Sequence, residues 1–443
     1  MSRLALFGGT PVISAQESAA AELGTFRWPV FGAPEEDAAT AVLRQPNFFD
    51  DQQVALFERE FADWVGCEFG LAQSSGTNAV LAAMFGCGIG AGDEIIAPTS
   101  TYWATCVQAY ALRASVVFAD IQPETLNIDI SDVISKITPR TKAVVVVHLL
   151  GYPVDMQPLV TACHERGVKV IEDASHAHGS RYHGRNVGTL GDVAAFSLCG
   201  KPIAVGEGGI LVTDDRAIFE RAIAWGHHFR FNAAEVHDSE LLRAAGLPLG
   251  GVTSRMHNIS AAIGRTQLTA YAERMAEIDR AMNYFWDLME GVRGIVAHRP
   301  PKGTGSTMGG WYCPHAIYDA ESMDGLSSAR FVMAVRAEGY HAWTRQCIKD
   351  PLHPHALFHD VDVYGEGAPT AIRHADRDLR SRAGSLPVAE SVRAFTVPPF
   401  KTYEPALIER YVSLFQKVCK NYKELIAGDS GDQSVVVDAR GNG

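Results

Sequence analysis

Residues 143–150 read Ala-Val-Val-Val-Val-His-Leu-Leu, an almost unbroken apolar stretch rich in valine. Such a segment has no polar face to turn to water, so as a strand it must be covered on both sides. That is the situation of a parallel sheet flanked by helices. Shorter apolar runs repeat the theme at 94–97, 115–118, 168–172, 193–197 and 209–213. Helical spacing intervenes at 77–85, 102–112 and 156–166, and this alternation predicts an α/β fold with a mostly parallel sheet. Ligands of such sheets bind beyond the carboxyl ends of the strands, so the polar residues just after each strand carry the functional information.

The flanking regions read differently. Residues 1–50 are punctuated by Pro11, Pro29, Pro34 and Pro46 and predict an extended N-terminal arm. A helix follows, marked by Val54, Phe57, Phe61 and Trp64 at three- to four-residue spacing. The large cofactor-binding domain is expected over 51–285, and it ends in a long helix at about 260–289. A smaller α+β domain is expected over 286–427, entered through a flexible Gly/Pro loop at 299–310 and closed by a helix at 405–426. The polar segment 428–443 is expected to be disordered.

Charge and cysteine content narrow the function classes. Asp and Glu number 51 against 39 Lys and Arg, a net charge of −12. This lacks the basic footprint of a general nucleic-acid binder and the polybasic runs that grip anionic membranes. No apolar run approaches the ~20 residues that span a bilayer. The first ten residues make a poor secretory signal. The eight cysteines include no Cys-x-x-Cys pair, which predicts a reduced, cytoplasmic protein without disulfide framework or zinc site.

Four strand-end features carry chemistry. Lys201 follows the run 193–197 in Cys199-Gly200-Lys201-Pro202, ahead of Gly206-Glu207-Gly208-Gly209. A lysine held in such a loop can be desolvated into a nucleophilic, Schiff-base-forming amine, although a lone loop lysine is ordinarily a surface residue. Asp173 ends the run 168–172, where a carboxylate can keep a heterocyclic nitrogen protonated, and His176 can orient it. Both also suit a turn cap and a satisfied core histidine. Ser74-Ser75-Gly76-Thr77-Asn78 opens a helix, whose first amides bind phosphate or are simply capped by serine. Tyr102 follows the strand 94–97, where an aromatic can stack on a planar ring or pack in a core. Taken together, a phosphate cradle, a stacking ring, a carboxylate and a reactive lysine are what pyridoxal 5′-phosphate needs.

These stretches resemble the DegT/StrS-type sugar aminotransferases, of the type I pyridoxal-phosphate fold. The resemblance spans roughly residues 1–425. It rests on Ser74-Ser75-Gly76-Thr77-Asn78-Ala79, Glu172-Asp173-Ala174-Ser175-His176-Ala177, and Lys201-Pro202 with the glycines after it. Arg255-Met256, Ala261-Ala262-Ile263-Gly264 and Pro351-Leu352-His353 also match, and residues 4–12 are similar to the branch acting on cyclitol ketones. The resemblance implies that Lys201 bonds the cofactor and shuttles the proton, that Asp173 pairs with the pyridine nitrogen, and that His176 lies near the phenolic oxygen. It further implies that Gly76, Thr77, Asn78 and Ser197 bind phosphate and that Tyr102 stacks on the ring.

Two departures stand out. The stretch 196–201 is one residue shorter than in the family, and Thr253-Ser254 replace the usual Asn-Tyr before Arg255. The reading is an aminotransferase using glutamine or glutamate and a keto-sugar or keto-cyclitol, as a homodimer. The alternatives are a pyridoxamine-dependent sugar dehydratase, which typically has His in place of Lys201, and a non-catalytic regulatory member of the fold.

Overall fold

The computed structural model describes residues 3–47, 52–340 and 351–432. Its central sheet has seven strands: β1 (Phe69–Gln73), β2 (Glu94–Pro98), β3 (Ser115–Ala119), β4 (Thr141–Val147), β5 (Lys169–Asp173), β6 (Val193–Ser197) and β7 (Gly209–Thr213). Their spatial order is β1-β7-β6-β5-β4-β2-β3. β7 is antiparallel to both neighbours, and every other pairing is parallel, as the sequence predicts. Helices of eight residues or more are α1 (Ala15–Leu23), α2 (Ala33–Leu43), α3 (Gln52–Val65), α4 (Gly76–Gly86), α5 (Met156–His164), α6 (Arg216–Gly226), α7 (Asn258–Leu288), α8 (Ser328–Ala337) and α9 (Pro405–Lys420).

The valine run behaves as its composition demands. Ala143, Val145 and Val147 join the apolar layer on one face, while Val144 and Val146 join the layer on the other. On that second face α3 inserts Phe57 and Phe61, both fully buried, and the Phe61 ring lies 5.2 Å from Phe196 of β6. Truncating Phe61 to alanine would cost about 3–5 kcal/mol, in lost transfer energy plus the cavity left behind.

A third core gathers the second half of α7 (Ile278, Phe285, Trp286), α8, α9 and a small antiparallel sheet. That sheet consists of β8 (Ile295–Ala297), β9 (His315–Tyr318) and β10 (Ala394–Thr396), in order β8-β9-β10. Leu4, Ile13, Ala21 and Phe26 are buried in the same core.

Several expectations need correction. Residues 1–50 are not an extended arm over their described part, because α1 and α2 form there. Ser14 and Glu17 make a reciprocal capping box on α1, and Pro34 sits in the first turn of α2, where its missing N–H costs nothing. β4 stops at Val147, and residues 149–151 form a tight turn with Leu150 at φ +58°. Asn127 Oδ1 and His176 Nδ1 take the amides of Leu149 and Leu150 that a longer strand would pair.

The helix expected over 102–112 is broken into a 3-10 turn, Trp103–Thr105, and the short Gln108–Ala111. The Thr101 and Thr105 hydroxyls bond each other, and Thr105 bonds Asp173, competing with regular helix. The 299–310 loop is pinned rather than flexible, since Thr307 exchanges backbone hydrogen bonds with Arg181. The closing helix is interrupted at Asn421. Of the 428–443 tail, Asp429 accepts from Ser327 N and Oγ, and Asp432 accepts from Ala329 N at the start of α8. Residues 433–443 lie outside the described residues.

Candidate active site

The carboxyl ends of the parallel strands meet around one cavity. Val147 of β4 pairs with Asp173 of β5, and Asp173 with Ala195 of β6, so the residues that follow these three strands emerge side by side. The cavity holds about 430 Å³ and is walled by Gly76, Thr77, Tyr102, Asp173, His176, Ser197 and Lys201, residues distributed over more than a hundred positions of the sequence. Asn78 stands apart from this wall. It lies in the first turn of α4, where its side chain donates to Ser74 Oγ at 2.7 Å.

Each side chain is held by identifiable bonds. Asp173 is 6% exposed; its Oδ2 accepts from the Thr105 hydroxyl at 2.8 Å and its Oδ1 from the Ser175 amide at 3.2 Å. His176 Nδ1 accepts the Leu150 amide at 3.3 Å. That bond assigns the proton of a neutral imidazole to Nε2, leaving a donor there. His178, two residues on, has a structural task. Its Nδ1 accepts from Ile203 N and its Nε2 donates to Ser197 O, tying the end of β6 to the loop that carries Lys201. Burial, reinforced by the positive charge of Lys201, pushes its pKa down to about 3, so it is neutral at any working pH.

The start of α4 fits an anion. Its Ser75 cap accepts from Asn78 N, and the first amides of a helix have no partner within it. A Cβ on Gly76 would lie 2.5 Å from Ser197 Cβ and 2.8 Å from its Cα. Only glycine lets the helix start and the end of β6 close into one cradle. Ser197 therefore shares that cradle despite the shortened 196–201 segment, with its Oγ accepting from Cys199 N at 3.4 Å. The departing Thr253-Ser254 segment runs beside β1: the Ser74 amide donates to Ser254 O, and Gln73 bridges Arg255.

Several wall residues escaped the sequence reading of individual sites, Ser175 and Tyr312 among them. Ser175 sits inside the quoted 172–177 motif and gives its hydroxyl to Ser197 N as acceptor at 3.2 Å. Tyr312 lies 4.1 Å, ring centroid to Nζ, over Lys201, and its ring centroid is 4.5 Å from that of His176. Its neighbours Trp311 and Cys313 both have φ +48°, a conformation that non-glycine residues adopt rarely and mostly where a site requires it. A single tyrosine in a loop has no periodicity or motif to announce it. Among the described residues no cluster suits a metal ion, and no helix is long and apolar enough to cross a membrane.

The cradle, the buried carboxylate, the lysine and the two tyrosine rings together fit pyridoxal 5′-phosphate in size and charge. The model of the DegT/DnrJ/EryC1/StrS aminotransferase family matches residues 31–396. A GDP-perosamine synthase of Escherichia coli O157:H7 is 40% identical over 216 residues, covering 48% of this chain and 57% of that protein. The chain thus matches a little over half of that relative's length. The L-glutamine:2-deoxy-scyllo-inosose aminotransferase of Streptomyces kanamyceticus is 32% identical over 356 residues, 76% of this chain and 78% of the relative. An aminotransferase structure from Psychrobacter cryohalolentis superimposes with a TM-score of 0.75 at 26% identity, covering 90% of this chain and 99% of the other.

Proposed function

Because this chain belongs to the DegT/DnrJ/EryC1/StrS aminotransferase family, we propose that it transfers an amino group from glutamine or glutamate to a keto-sugar or keto-cyclitol, using pyridoxal 5′-phosphate. The observation that carries this reading is the meeting of Lys201, Asp173 and the Gly76–Ser197 cradle in one cavity at the strand ends. When bound, the cofactor supplies a ring that draws off the electrons released as a substrate α-proton leaves. Lys201 would hold the cofactor covalently until the donor's own amine displaces it, and the freed lysine amine would then take and return that proton at the substrate carbon as general base and acid.

Asp173 offers its carboxylate to the ring nitrogen, and a negative charge there favours the protonated ring. His176 Nε2–H is a donor for the cofactor's phenolic oxygen. Gly76, Thr77 and Ser197 would hold the phosphate with backbone amides and hydroxyls, with Asn78 supporting the same turn. Tyr102 and Tyr312 stand in the cavity wall and would offer their rings to the cofactor, while Val147, Leu149 and Leu150 contribute apolar wall. An intact Lys201 argues against the dehydratase branch, and Lys201 with Asp173 argues against a regulatory remnant.

We further infer that glutamine serves as donor at least as well as glutamate, as the name of the scyllo-inosose enzyme suggests, and, from the family resemblance, that the chain forms a homodimer. Borohydride reduction of the purified, yellow protein should bleach it and tag Lys201 in peptide maps. Recovery of the tag on another lysine would sink the assignment. A panel of keto-sugars and keto-cyclitols with each donor names the substrate, and light scattering reads the dimer.

A further inference from the structure

Tyr312 is held against Lys201 by something outside the cavity. The carbonyls of Gly310 and Trp311, just before Tyr312, both point at the ammonium of Lys401, at 3.2 and 3.1 Å. Lys401 lies 90 residues from Trp311, and its own amide is tied to Thr25 O at 2.8 Å. The Trp28 ring faces the same ammonium at 5.7 Å, and Trp28 Nε1 donates to Lys201 O at 3.1 Å. On the far side, Trp311 Nε1 is anchored to Asp279 Oδ1 at 3.0 Å. Left-handed φ values at Trp311 and Cys313 need such bracing to persist. The charged or titratable groups around this brace are the Cys313 thiol, Asp279 behind Trp311, and Lys201 itself.

We propose that Lys401 is a positioning residue of this site, which clamps the backbone on the N-terminal side of Tyr312 and thereby keeps the Tyr312 ring over the Lys201 amine. The proposal rests on the reading of Lys201 as the reactive amine. A ring face over an ammonium both attracts the charge and limits approach from solvent. Without the clamp the ring swings away and Lys201 becomes an ordinary accessible amine.

The test uses the full chain freed of cofactor, with trinitrobenzenesulfonate as the probe and mass spectrometry to follow labelling of Lys201 at pH 8. It needs neither substrate nor turnover, so its failure is distinguishable from failure of the aminotransferase reading. In Lys401→Met the labelling of Lys201 should be ~3- to ~10-fold faster than in wild type, the scale of one cation–ring contact. Tyr312→Ala should label at the fast rate, and adding Lys401→Met to it should change nothing further.

With cofactor and donor present, Lys401→Met should lower kcat by ~10- to ~100-fold, the cost of a reacting group misplaced by about an ångström, with KM for the donor little changed. If Lys401→Met fails to fold, Lys401→Gln, whose shorter side chain keeps an NH2 donor group but loses the reach and the charge, makes the same comparison. Unchanged labelling of Lys201 overturns the proposal. So does slower labelling, which would mean that Lys401 acts only through its charge, or an effect of equal size in the Tyr312→Ala background.

Discussion

Replacing Asp173 by asparagine separates the electrostatic role of this carboxylate from its structural one. In the folded protein Asp173 accepts two hydrogen bonds, from Thr105 Oγ1 and Ser175 N. Asparagine can keep both positions filled. Its Oδ1 still accepts from Ser175 N, and its Nδ2 donates to Thr105 Oγ1. The Thr105 hydroxyl is then free to donate to Thr101 Oγ1, already 2.8 Å away. No buried group loses its partner, so the stability change should stay below ~1 kcal/mol, a drop of no more than ~4 °C in melting temperature for a chain of this size.

The loss of charge acts elsewhere. With no carboxylate to hold the ring nitrogen protonated, the half-reaction with the amino donor should slow by ~10²- to ~10³-fold, the scale of one preorganised electrostatic contact. Asp173→Glu should fall between, since the charge survives at the wrong distance. Stopped-flow absorbance of the half-reaction, beside calorimetric melting of the same preparations, measures both quantities. A wild-type rate in Asp173→Asn would refute the electrostatic role. A collapse of melting temperature in step with the rate would show that the carboxylate is chiefly a structural cap.

Three further outcomes follow from the geometry. Gly76→Ala drives a Cβ into Ser197, so it should cost ~1–3 kcal/mol of stability and weaken binding of cofactor and of free phosphate, read by equilibrium dialysis. Burial lowers the Lys401 pKa from 10.5 to about 8. The unfolded chain therefore binds the extra proton between those values, and stability should rise with pH from about 8 upward, by at most ~3 kcal/mol, in wild type but not in Lys401→Met. Urea titrations across that range check the slope. Asp429→Ala removes the acceptor of Ser327 N and Oγ ahead of α8 and should cost ~0.5–1 kcal/mol in the same titrations.

The strands were readable where their cause is local. The runs at 193–197 and 209–213 coincide with β6 and β7, because a continuous apolar segment bounded by glycine or polar residues has few other uses. Lys201, Asp173 and Tyr102 stood out for the same reason, as polar or aromatic residues placed just beyond such runs, and Gly76 stood out in a helix opening. The sequence also held the Ser14–Glu17 capping box and the first-turn position of Pro34, signals of α1 and α2 that a count of prolines obscured.

Other features belong to the tertiary structure alone. Apolarity continues through Leu149 and Leu150, but β4 ends at Val147 because Asn127 and His176 take the next amides. Tyr312 meets Lys201, and Lys401 braces the Tyr312 loop, across sequence separations of about ninety residues or more. Such partners leave no mark in periodicity or spacing. Periodicity reports which face of an element is buried, whereas the meeting of two loops depends on how separately formed layers pack, and each loop is free to choose a partner only once those layers are in place.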